Sequence, residues 1–219
     1  MKKYDLILFD VDGTLLDTSE GIISSVSYIV EKYGLISPDS RTLKSFIGPP
    51  MQESFTRVFG MDKERAMELA IDYRVRYSKD DLLKATPYDG IYDVMEYLKK
   101  NGKKYSIATY KRQDYAEKIM REFGFFEGAV SVIGADFDYK LKKKDIIEKC
   151  VREAGITDLK RVLMIGDTVY DADGAKAAGV DFLGVFYGFG FRNKEDLKQV
   201  KNVGGVNTPR EIIDFLERI

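Results

Sequence analysis

Two short phrases of the chain place carboxylates at a spacing that suits metal-assisted group transfer. Asp10-Val11-Asp12-Gly13 follows the apolar run Leu6-Ile7-Leu8-Phe9, and Gly166-Asp167, with Asp171 beyond it, follows Val162-Leu163-Met164-Ile165. In extended backbone, residues i and i+2 point the same way, so Asp10 and Asp12 can converge on one ion or one phosphoryl group. Magnesium takes its oxygens from one or two carboxylates, substrate phosphate and water. Asp167 suits a direct ligand, and Asp171 a ligand or an orienter of bound water. A plainer reading is an Asp-Gly turn with neighbouring Asp side chains acting as caps. Composition narrows the chemistry: with no histidine and one cysteine, Cys150, the usual zinc and Ser-His-Asp constellations lack their parts. Catalysis here must run on carboxylates and lysines.

The elements that would position these residues are strands. Both apolar runs have the pattern of strands covered on both faces, with Gly13 supplying the turn after the first. Ligands of open α/β sheets sit beyond the carboxyl ends of the strands. A third run, Ser106-Ile107-Ala108, ends at Thr109, whose hydroxyl and the backbone N–H of Tyr110 could hold a phosphate oxygen if the strands are neighbours; a helix cap is the simpler role. Lys111 and Arg112 follow, placed to meet an anionic leaving group. In Lys140-Leu141-Lys142-Lys143-Lys144-Asp145, cations stand at a helix start, where the dipole disfavours them, so one of them wants an anionic partner. The residues alone leave Lys140, Lys142, Lys143 and Lys144 as alternatives.

Residues 17–83 read as helices with no strand: 19–33, a short element at 43–47, then Gly48-Pro49-Pro50, 51–59 and 61–77. From Tyr88 onward helices and strands alternate, with strands expected at 105–108, 130–133, 162–165 and, last, 182–186. Thr208-Pro209-Arg210-Glu211 joins a capping box to Pro at the first helical position and opens the final helix. The alternation implies right-handed crossovers and a parallel sheet, an α/β fold with a helical domain over 17–83 inserted into 1–16 and 84–219. The two connections can act as hinges. Lys and Arg (35) nearly balance Asp and Glu (36), which gives no broad field for nucleic acid or an anionic membrane. No apolar stretch approaches the roughly 20 residues of a membrane span. The expected protein is cytoplasmic, a monomer or homodimer, with a small molecule as partner.

Asp10-Val11-Asp12-Gly13-Thr14-Leu15-Leu16-Asp17 resembles the first signature of the haloacid dehalogenase superfamily of phosphotransferases. The strand ending at Thr109 is similar to the second, and Met164-Ile165-Gly166-Asp167-Thr168-Val169-Tyr170-Asp171 to the fourth. By similarity to relatives with a Lys-x-Asp/Glu-Val/Ile-Ile pattern, Lys143 is the phosphate-neutralising lysine; the Lys-Pro form common elsewhere in the superfamily is absent. The resemblance implies a Rossmann-like core with an α-helical cap inserted after the first signature. It also implies Mg2+ held by Asp10, the backbone carbonyl of Asp12, and Asp167. Asp10 is read as the nucleophile that forms an aspartyl-phosphate, and Asp12 as the acid and base serving the leaving oxygen and then water. The dehalogenase branch does not need Asp12 and is disfavoured. Gly48-Pro49-Pro50-Met51 with Glu53-Ser54-Phe55, and Tyr187-Gly188-Phe189-Gly190, are similar to phosphoglycolate phosphatase-like members. Gly48 and Pro49, in a loop expected over the site, join Gly13, Tyr110 and Lys111 as substrate-contacting residues. The expectation is a magnesium-dependent phosphatase for a small phosphorylated metabolite such as phosphoglycolate or a nucleoside monophosphate. A sugar-phosphate mutase of the β-phosphoglucomutase kind shares the same signatures, and a non-catalytic binding protein is the third reading.

Overall fold

The computed structural model describes residues 3–137 and 140–219. The chain divides into two compact units, one running up to Leu16 and resuming at Pro87, the other being Asp17–Thr86. Residues 84–86, placed in the α/β part on sequence grounds, lie in the second unit.

The first unit is built on a six-stranded parallel sheet. Its strands are β1 (Leu6–Phe9), β4 (Lys104–Arg112), β5 (Val132–Ala135), β6 (Val162–Gly166), β7 (Asp181–Val185) and β8 (Gly204–Val206), in the order β5-β4-β1-β6-β7-β8. The chain crosses between the units in the two-residue strands β2 (Leu16–Asp17) and β3 (Thr86–Pro87). β1 is central because all four of its residues are apolar and buried, which suits a strand flanked on both edges and covered on both faces. Leu6 and Leu8 share one buried layer with Val162 and Met164, following the two-residue period of a strand. Helices α7 (Lys143–Glu153) and α8 (Val169–Ala178) pack into that layer through Ile146, Ile147, Cys150, Ala172 and Ala175. Cys150 is a core residue there, and burial pushes its thiol up to about 12.

The second unit holds α1 (Ser19–Lys32), α2 (Ser40–Lys44), α3 (Met51–Phe59) and α4 (Lys63–Arg76), with a π-helical turn at Tyr77–Asp81. Its core includes the ring cluster of Phe46, Phe55 and Phe59. Asp81, fully buried, accepts hydrogen bonds from Ser25 Oγ (2.7 Å), Ser24 Oγ (3.1 Å) and Arg76 Nε (3.1 Å), and pairs with Lys84 Nζ (2.7 Å).

Several boundaries differ from the sequence expectation. The short element at 43–47 is instead α2, three residues earlier, because Asp39 accepts a hydrogen bond from Thr42 N (2.7 Å) and starts the helix there. β4 runs through Thr109 to Arg112, and its pairing with β5 shifts register between Ala108 and Arg112. β5 begins two residues later than expected, at Val132, and β8 and α9 (Lys194–Leu197) follow the strand expected to be last. The remaining helices bury one face each: α5 (Ile91–Lys100) through Ile91, Val94 and Leu98, α6 (Gln113–Glu122) through Tyr115, Ala116, Ile119 and Met120, and α10 (Arg210–Glu217) through Ile212, Phe215 and Leu216. At the start of α10, Glu211 N donates to Thr208 Oγ1 (3.4 Å), while the Glu211 carboxylate accepts from Asn207 N (2.8 Å) rather than from Thr208 N.

Candidate active site

Parallel register brings the acidic phrases together. Phe9 lies opposite Ile165, and Asp10 N donates to Ile165 O (3.0 Å), so the residues that leave β1 and β6 emerge side by side. After Asp12 the chain turns at Gly13, whose φ of +81° suits a residue without Cβ. Asp10, Asp167 and Asp171 are all buried, and one carboxylate oxygen from each lies within 4.8 Å of the others.

Lys143 stands among them. It is the first residue of α7, a helix begun by the Asp145 carboxylate accepting from Lys142 N (2.8 Å). Its ammonium is 2.8 Å from Asp10 Oδ1 and 2.6 Å from Asp171 Oδ1. Lys140, Lys142 and Lys144 are exposed, and Lys144 pairs with Glu148 at 3.4 Å. Among the four lysines left open by the residues, Lys143 is the buried one that meets the carboxylates. Asp171 caps α8, its Oδ2 accepting from Thr168 N (3.1 Å) and Thr168 Oγ1 (2.6 Å).

Thr109 and Lys111 are buried in the last part of β4, with Thr109 Oγ1 accepting from Lys111 N (3.1 Å). The Lys111 ammonium lies 3.0 Å from Asp12 Oδ1, a pairing that sequence reasoning missed. The Tyr110 hydroxyl accepts from Lys143 N (2.8 Å), fixing the start of α7. Gly48 and Pro49 lie in the other unit, between α2 and α3. Also missed was the role of the loop after β7: Phe189 N (2.7 Å) and Gly190 N (3.0 Å) donate to Asp167 Oδ2. Two glycines at alternate positions just beyond a buried strand were the available signal.

Charge in this cluster is unbalanced. Three carboxylates against one ammonium leave two negative charges in a buried space, and the Asp12–Lys111 pair cancels itself. Burial first, then Asp171 and Asp12, push the Asp10 carboxyl up to about 6 against the pull of Lys143. Burial, Asp171 and Asp10 drive the Asp167 carboxyl well above the usual range, despite its two amide donors. Burial draws the Lys143 ammonium down, but Asp10 and Asp171 outweigh it and leave its pKa above the ordinary value. Asp167 Oδ1 is buried with no hydrogen-bond partner. An oxygen-only set that is short of two positive charges, with Asp167 Oδ1 facing neither a donor nor a cation, fits a hard divalent cation.

This chain belongs to the haloacid dehalogenase-like hydrolases, whose family model matches residues 7–185. It is an enzyme of the phosphatase kind. It is 36% identical over 189 residues to a 5′-nucleotidase of Pseudomonas aeruginosa, covering 86% of this chain and 85% of that one. Tyrosine-protein kinase PtkA of Mycobacterium tuberculosis is 31% identical over 95% of this chain and 72% of its own length. A predicted phosphatase from Clostridium acetobutylicum has the same fold, with a TM-score of 0.91 at 32% identity over 99% of this chain and all of that one. No helix among the described residues is long and apolar enough to cross a membrane.

Proposed function

We propose that the protein is a magnesium-dependent phosphatase that hydrolyses a small phosphomonoester through an aspartyl-phosphate. The observation that carries the reading is the convergence of Asp10, Asp167, Asp171 and Lys143, with the charge imbalance it leaves. Asp10 attacks phosphorus, forming a carboxylate–phosphorus bond as the ester P–O bond breaks. Asp12 enters this step protonated, delivers that proton to the leaving oxygen, then takes one from the water that attacks the aspartyl-phosphate and releases inorganic phosphate. Lys143 offsets the repulsion between Asp10 and the phosphoryl oxygens, and the Thr109 hydroxyl with the Tyr110 N–H grips one of those oxygens. Asp10, the Asp12 carbonyl and Asp167 would hold Mg2+, with Asp171 as ligand or orienter. The ion supplies neutralisation of phosphoryl charge. Gly13 and Lys111 contact the substrate, and Gly48 and Pro49 of the helical unit take part in choosing it.

Nucleoside monophosphates come first as substrates, on the likeness to the 5′-nucleotidase, and phosphoglycolate second. The test is phosphate release from nucleoside monophosphates, phosphoglycolate, sugar phosphates and pyrophosphate, with Mg2+ and with EDTA. Mg2+-dependent release without a bisphosphate activator is expected. Isomerisation of a sugar phosphate with a bisphosphate activator and without phosphate release would favour a mutase, and no release from any compound would sink the hydrolytic reading.

A further inference from the structure

Asp167 is held by more than its place after β6. The loop that leaves β7, Tyr187-Gly188-Phe189-Gly190-Phe191, folds back over it. Besides the two amides on Oδ2, Phe191 N donates to the Asp167 carbonyl (2.7 Å). The approach depends on missing side chains. A Cβ on Gly190 would lie 2.2 Å from the Asp167 carbonyl oxygen, and one on Gly188 would lie 2.5 Å from Asp167 Cβ and 2.3 Å from Gly13 O. One on Gly13 would lie 2.3 Å from Asp167 Oδ2. The loop is anchored in turn by the Tyr187 hydroxyl, which donates to Thr14 O (3.1 Å), and by the Tyr187 ring, 4.8 Å from that of Tyr88. One oxygen of Asp167 is therefore saturated and walled in, while Oδ1 is without a donor.

We propose that the loop 187–190 is a positioning clamp that limits Asp167 to a single liganding oxygen and so sets a preference for Mg2+ over Ca2+. Magnesium demands near-octahedral geometry with few protein ligands, whereas calcium accepts six to eight oxygens and carboxylates that bind through both. A carboxylate whose second oxygen already takes two N–H bonds cannot adopt the two-oxygen grip without losing both. Gly13, Gly188 and Gly190 close the space into which it would swing. The inference rests on the metal-dependent reading above.

Calorimetric titration of the metal-free protein with MgCl2 and with CaCl2 tests it. Gly190→Ala pushes the loop off Asp167 and should weaken Mg2+ roughly tenfold, and Ca2+ by less. Tyr187→Phe removes the hydroxyl anchor and keeps the ring, and should move the ratio of the two dissociation constants about threefold toward calcium. Phe189→Ala keeps the amide and should leave the ratio within about twofold of the parent. Equal weakening of both ions, an unchanged ratio in folded Gly190→Ala, or a Phe189→Ala effect as large as that of Gly190→Ala overturns the clamp. If Gly190→Ala does not fold, Tyr187→Phe decides on the same terms. A parent protein that binds neither ion sinks the metal-dependent reading itself, a result distinct from binding that the variants leave untouched.

Discussion

The two units treat buried charge in opposite ways. In the helical unit, burial pushes the Asp81 carboxyl up, but Lys84, Ser25, Arg76 and Ser24 more than offset it and hold it below the usual range. In the α/β unit, one ammonium serves Asp10 and Asp171 of the three clustered carboxylates, Asp10 is pushed up to about 6, and an oxygen of Asp167 has no donor. Asp81 is complete as folded, and the Asp10 cluster is not. A buried acid is therefore no mark of a site by itself; the uncompensated remainder of its charge is.

Three measurements break or sharpen that contrast. The largest effect is expected from Asp10→Asn, which removes both the nucleophile and part of the excess charge. Phosphate release should fall by roughly 10³-fold or more, while the metal-free variant unfolds at a higher temperature than its parent at pH 8. Turnover comparable to the parent would remove the covalent route. Next is Asp81→Asn, which should cost about 2 kcal/mol in urea unfolding near neutral pH. A carboxyl held below its unfolded value of 3.8 contributes stability above that pH and loses it as pH falls through the folded value. The variant should therefore show a flatter acid limb, and an unchanged limb would mean that Asp81 is not a net stabiliser.

The third effect carries the opposite sign. In metal-free protein, folded Asp10 keeps its proton up to about pH 6, while the unfolded chain releases it near 3.8. The folded state then binds more protons, so stability should fall as pH rises through that window. Mg2+ at a hundredfold excess over its dissociation constant should restore about 2–3 kcal/mol at pH 8 and much less at pH 5. Equal gains at both values, read from thermal unfolding, would erase the distinction between the units.

The sheet was legible because Leu6-Ile7-Leu8-Phe9 and Val162-Leu163-Met164-Ile165 are continuous apolar runs that end in charge, too short for a helix and suited to strands covered on both faces. β8 was not, since Gly204-Gly205-Val206 carries a single apolar side chain and owes its strand conformation to pairing with β7. Lys143 could be separated from its neighbours only by resemblance, because four near-identical lysines differ in burial, which sequence spacing does not report. Asp81 sits in Tyr77-Ser78-Lys79-Asp80-Asp81, a polar run that reads as surface; its partners Ser24 and Ser25 are distant in sequence, and periodicity is blind to such contacts. The Asp12–Lys111 pair was hidden for the same reason, and also because β4 continues past the point where its apolar pattern stops.

The central place of β1 has a consequence for biosynthesis. The strand is made before either of its neighbours, which begin at Lys104 and Val162. Meanwhile the helical insertion is complete in sequence and can fold from short-range contacts, which form faster than distant pairings. An apolar segment left waiting is prone to aggregate. The stretch that carries Asp10 is thus unpaired until β4 and β6 have been made, and the cluster cannot form before Asp167 and Asp171 follow them.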